Sequence, residues 1–108
     1  MRVRKIDPNA FAVLLGRVLD AICVEQGAQG GTLNERIEYL AKQGRFPDRL
    51  ADVAHRLRKL RNFGAHGDLG NLDAQDAPLL ESLCRALLMY LYTVPTLARD
   101  AQARLDKA

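Results

Sequence analysis

Apolar residues recur along this chain at steps of three and four, and no segment makes a convincing strand. The pattern predicts five helical segments and an all-α fold. Asp7 suits an N-cap and Pro8 a first helical position. Phe11, Leu14, Leu15, Val18, Leu19, Ile22 and Cys23 then form one stripe of a helix ending near Gly27. Residues 27–31 hold three glycines and read as a flexible connection. Thr32 and Glu35 form a capping box, in which each side chain satisfies a free backbone donor of the other. It opens a second helix with Leu33, Ile37, Leu40 and Ala41 inward, ended by Gly44.

Pro47 opens a third helix, with Leu50, Val53, Ala54, Leu57 and Leu60 facing the core. Gly64, Gly67 and Gly70 punctuate its exit into a polar loop over residues 66–73. A fourth helix is expected over residues 73–94, with Pro78 in its early turns, until Pro95 ends or kinks it. A polar tail helix follows from Thr96. The apolar side chains of the fourth helix sweep about 220° of its circumference, more than one core-facing stripe requires. Either this helix is central or part of its face pairs with another chain; pairing with a second copy is favoured, since exposed patches of that size are uncommon on monomers.

The chain has 108 residues, enough for one domain spanning residues 1–108, either alone or attached to a longer protein. With no Trp and few aromatics, its core must be aliphatic. No apolar run approaches the roughly 20 residues of a membrane span. The basic N-terminus runs into Asp7-Pro8 without the apolar stretch of a signal peptide. Cys23 and Cys84 lie within apolar stripes and read as small buried hydrophobes of a reducing compartment, which points to the cytoplasm. Two cysteines and two histidines so scattered do not build a zinc site, and neither a metal nor another cofactor is expected.

Net charge is +3, too mild to announce nucleic-acid binding. Its distribution says more: between Arg45 and Arg61 six cations stand against two acids. On a regular third helix, Asn62 and His66 fall within about 20° of His55, with Lys59 and Arg58 at about 40° and 60°. Gly64 falls at the centre of the opposite, apolar side. Arg61 lies about 140° from His66, so the two converge only if the helix ends near Asn62 or if two protomers contribute. A neutral imidazole can take a proton from a ribose 2′-hydroxyl or return one to a leaving oxygen. A guanidinium can hold two phosphate oxygens and stabilise the charge that builds during attack. The set Arg61, Asn62 and His66 therefore suits RNA cleavage to 2′,3′-cyclic phosphate ends, with Arg58, Lys59, Arg56 and His55 as contacts to the nucleic acid. Other constellations fail. Asp68, Asn71, Asp73 and Asp76 lack calcium-loop spacing. Gly30-Gly31 lacks the Lys-Ser/Thr of a P-loop. Ser82, the sole serine, lies within a helix. No helix-turn-helix spacing supports DNA binding.

Arg61-Asn62-Phe63-Gly64-Ala65-His66 resembles the Arg-x4–6-His motif of the HEPN superfamily. The chain is also similar to a bacterial HEPN-like family of domains of unknown function often attached to restriction or defence proteins. Residues 15–22, 32–37 with Leu40 and Gly44, 57–62 and 91–95 carry the rest of that likeness. The resemblance implies an antiparallel four-helix bundle with a short C-terminal extra helix. It implies a homodimer with both motifs facing one cleft, RNA as substrate, and Arg61, Asn62 and His66 as catalytic residues. Relatives often carry glycine at the Arg61 position and an arginine at the Arg58 position, so either arginine can be the working one. The alternative is a non-catalytic dimerisation or docking module of a larger defence protein.

Overall fold

A computed structural model describes residues 7–64 and 72–107. Five α-helices account for most of them, and none is a strand. Helix α1 is Pro8–Glu25, and Asn9 N–H donates to the Asp7 carboxylate at its start (2.9 Å). Helix α2 is Leu33–Lys42. Glu35 N–H donates to Thr32 Oγ1 (3.2 Å), as expected. The Glu35 carboxylate accepts from the threonine hydroxyl (3.0 Å), so it ties down the capping side chain. Helix α3 is Asp48–Arg56. Helix α4, Ala77–Leu88, begins after the expected Asp73, because residues 73–76 form a turn.

The third helix differs most from expectation. It stops at Arg56, Leu57 takes a non-helical ψ of 85°, and a 3-10 turn spans Arg58–Arg61. The reason lies in Phe63. On a continued helix Phe63 would point about 100° away from the apolar face. The break swings it inward, where it is buried against Gly16 and Leu72. Leu60 stays fully buried, so the tighter turn satisfies both side chains.

Pro95 does not end the fourth helix. It lacks an N–H to donate, and Val94 N–H reaches back five residues to Met89 O, making a π turn over Met89–Thr93. The helix then continues as α5, Val94–Asp106. That tail is 13 residues, longer than the 12 of α4.

The direction of the chain also departs from an antiparallel bundle. Ala74 N–H, just before α4, donates to Asn9 Oδ1 at the start of α1 (2.8 Å). Midway, the Cys84 thiol lies 3.6 Å from Leu15 O. At the far end, Arg45 donates to Gln26 O (2.9 Å), while adjacent Phe46 meets Tyr90 edge to face at 6.3 Å. Helices α1 and α4 therefore run parallel, because the connection after α3 returns the chain to the start of α1.

The core is aliphatic, centred on Leu19, Ile37, Leu40, Leu60, Leu80 and Leu87. Phe46 and Leu72 belong to it too, although neither lies on a helical stripe. Leu14 and Val18, expected inward, face solvent, as do Leu88, Tyr90 and Val94 of the broad fourth-helix face. Cys23 and Cys84 are free and buried, as expected. Burial pushes the Cys23 thiol up to about 12 and that of Cys84 to about 11, so neither is a ready nucleophile. No helix among the described residues is long and apolar enough to cross a membrane.

Candidate functional site: the basic turn after the third helix

The break at Leu57 removes the single helical face that would have gathered His55, Lys59, Asn62 and His66. In its place Arg58, Arg61 and Asn62 stand exposed on and just after a 3-10 turn. Arg56, the last residue of α3, is exposed beside them. Ala65 and His66 lie outside the described residues.

Three ion pairs flank this turn. Lys59 Nζ donates to Asp73 Oδ2 (2.9 Å) and to Asp76 Oδ2 (3.0 Å), tying the turn to the start of α4. These hydrogen bonds raise the Lys59 pKa and lower that of Asp73. Its ammonium is thus already engaged, whereas the guanidinium groups of Arg56, Arg58 and Arg61 have no ion-pair partner among the described residues. On the other side, Arg36 of α2 pairs with Asp20 of α1, both largely shielded from solvent. Arg17, the arginine nearer to Asp20 in sequence, is exposed. Gly64 sits over this pair with φ +88°, and a Cβ there would fall 2.9 Å from Arg36 Nη1 and 3.1 Å from the Asp20 carboxylate. The close approach that favours glycine is therefore to an ion pair, and not to the apolar face that a continuous helix implied. Leu33 N–H donates to Phe63 O (2.8 Å), fixing the end of the turn to the start of α2.

His55 is half-buried on α3, and its Nδ1–H donates to Asn34 Oδ1 of α2. Both line an open groove of about 650 Å³ between α2 and α3, with Arg61 among the lining residues. Arg61 and His55 thus share a concavity, although helical geometry set them on different faces. The groove also contains Glu38, Asp48 and Asp52, with Lys42 paired to Glu38 at 3.1 Å, so it is mixed in charge. Among the described residues no three His, Cys, Asp or Glu side chains gather as metal ligands.

Sequence reasoning found the arginines but missed the two acidic anchors of Lys59 and the Asp20–Arg36 pair. Only the ordinary preference of charges for partners hints at these contacts, and it does not say which acid meets which base.

The fold and this turn define an all-helical domain with a cationic turn set on an ion-paired base. The chain belongs to the DUF4145 family, a domain of unknown function whose model matches residues 1–108. No curated protein matches the chain, and no solved structure does.

Proposed function

We propose that this domain is a HEPN-type, metal-independent endoribonuclease that binds RNA through the turn after α3. Arg61 holds the scissile phosphate, Asn62 orients it, and His66 moves the proton between the 2′-hydroxyl and the leaving oxygen. Arg56 and Arg58 draw in neighbouring phosphates, and Arg58 stands beside Arg61 as an alternative grip. One observation carries the reading: α3 ends at Arg56 and the chain leaves helical spacing before Arg61. The 140° that a regular helix would put between Arg61 and His66 then no longer applies, and one protomer can supply both. The protein acts in the cytoplasm, as a homodimer and in bacterial defence, beside or within a larger defence protein.

The test is cleavage of single-stranded RNA by purified protein in excess chelator. Cyclic phosphate ends are expected, with His66→Ala and Arg61→Ala each lowering the rate about 100-fold or more. Equal cutting by His66→Ala would sink the catalytic assignment. A second reading, a dimerisation or docking module without catalysis, draws its support from the exposed apolar side chains of α5.

A further inference from the structure

Helix α5 has no buried residue among its 13 and touches the rest of the molecule mainly through the π turn from which it grows. A helix of about that length is marginal in water when it stands alone. Yet it is not polar all round. Val94, Leu97, Ala98, Ala101 and Leu105 share an arc of about 100°. Leu97 is 61% exposed and Leu105 69%.

We infer that this stripe is the docking surface for a second copy of the same chain, with the two α5 helices antiparallel about a two-fold axis at Ala101. Leu97, Ala101 and Leu105 are spaced four and four, so reversal maps the stripe onto itself. Leu97 meets the partner's Leu105, and Ala101 meets the partner's Ala101, as an isologous contact requires. Charge agrees. Asp100 and Arg104 lie on one flank of the stripe but make no ion pair with each other. Reversal sets Asp100 near the partner's Arg104, and Arg104 near the partner's Asp100, so two ion pairs close the same edge. Other members of the helix find local partners instead: Gln102 donates to Asp106 (3.0 Å) and Arg99 to Thr96 (3.5 Å).

This deepens the homodimer part of the proposed function by naming its surface, and it departs from a cleft shared by two motifs. Lys59 ties the basic turn to Asp76 at the start of α4, and α5 begins 18 residues further along the same helical run. At 1.5 Å per residue that is about 27 Å. Pairing through α5 sets the two basic turns at opposite ends of the dimer.

Light scattering on the whole chain at tens of micromolar should report a dimer, and Leu97→Glu with Leu105→Glu should convert it to a monomer. Neither side chain touches the core, so the doubly substituted chain should keep a cooperative thermal transition, which confirms that the bundle is folded. The register is read from charge. Asp100→Arg alone and Arg104→Asp alone each place like charges at both of these pairs, and each should weaken the dimer about tenfold. Mixed in equal amounts, the two variants should associate as tightly as the unaltered chain, because each supplies what the other lacks. A monomer at all concentrations overturns both this surface and the dimer itself. A dimer unmoved by the two glutamates keeps the dimer and removes α5 from it. Two charge variants that fail to recover on mixing overturn the antiparallel register.

Discussion

Lys59 shows how one residue can be visible in a sequence while its role is not. It stands in a run of cations and reads as one more contact for nucleic acid. In the fold it is the clasp between the basic turn and α4, through Asp73 and Asp76. The hydrogen bond from Lys59, and then the one from Gln75 N–H, hold the Asp73 carboxyl below its ordinary 3.8. The hydrogen bonds to Asp73 and Asp76 hold the Lys59 ammonium above 10.5. A carboxyl with a lowered pKa contributes stability above its unfolded value and loses it as pH falls through the folded one. An ammonium with a raised pKa contributes below its unfolded value and loses it as pH rises through the folded one. Thermal melts of Lys59→Met against the unaltered chain should therefore show a constant deficit through neutral pH. That deficit should shrink below pH about 4 and again above about 10. A deficit that persists unchanged at both extremes would show that the aliphatic stem, and not the charge, is what matters. Gly16 makes the same point for packing. An added methyl there would lie 2.6 Å from Leu72 Cδ1 and 2.9 Å from the Phe63 ring. Gly16→Ala should cost about 1–3 kcal/mol in denaturant titrations. The glycine sits on a polar-and-apolar helix like any other, and only the arrival of Phe63 and Leu72 from far along the chain gives it meaning.

Elements were legible where one local cause decides them. Asp7-Pro8 and Thr32 with Glu35 start α1 and α2 where their capping chemistry says, and Gly27 and Gly44, both at positive φ, follow helix ends. The end of α3 was not legible, because nothing at Leu57 breaks a helix. The break answers to Phe63, six residues later, whose burial outweighs one lost turn of regular helix. At Pro95 the local signal was read and its outcome was not: proline removes one donor, and a π turn absorbs the loss without ending the helix. The basic turn inherits this pattern. Arg61 and Asn62 stood out by residue type, but their placement on a turn depended on an aromatic ring beyond them. Because no residue of α5 is itself buried, its removal tests its role. A chain ending at Pro95 should lose helical ellipticity for the missing tail and keep a cooperative transition. The melting temperature of the full chain should rise with protein concentration, while that of the shortened one should not. Loss of the transition on shortening would mean that α5 supports the bundle after all.

At the scale of the whole molecule, the parallel run of α1 and α4 places the basic turn near one end and sends α5 out from the other. The radius of gyration, 15.9 Å, exceeds the roughly 13 Å of a compact chain of this length, as a projecting helix requires. No pattern within a single helix reports this layout, since helical stripes say what is buried and not which way a neighbour runs. It bears directly on how a site would be assembled. A helix continuous to His66 would have needed a second protomer to bring an arginine to the histidine. If the proposed dimer forms through α5, the proposed site requires each bundle, with its α3 ended at Arg56, to supply Arg61 and His66 by itself. Mixing two inactive variants distinguishes these arrangements. If Arg61→Ala and His66→Ala protomers built a site across an interface, an equal mixture would hold half mixed dimers, each with one intact site. About a quarter of full ribonuclease activity would then return. With sites complete in each protomer, every site in the mixture lacks one residue, and no activity should return at any ratio. Unaltered chain diluted with the His66→Ala variant should retain activity in direct proportion to its own fraction in either arrangement, so the paired-variant mixture is the one that discriminates. Recovery in the first mixture would place the arginine of one protomer beside the histidine of the other and require the basic turns to meet.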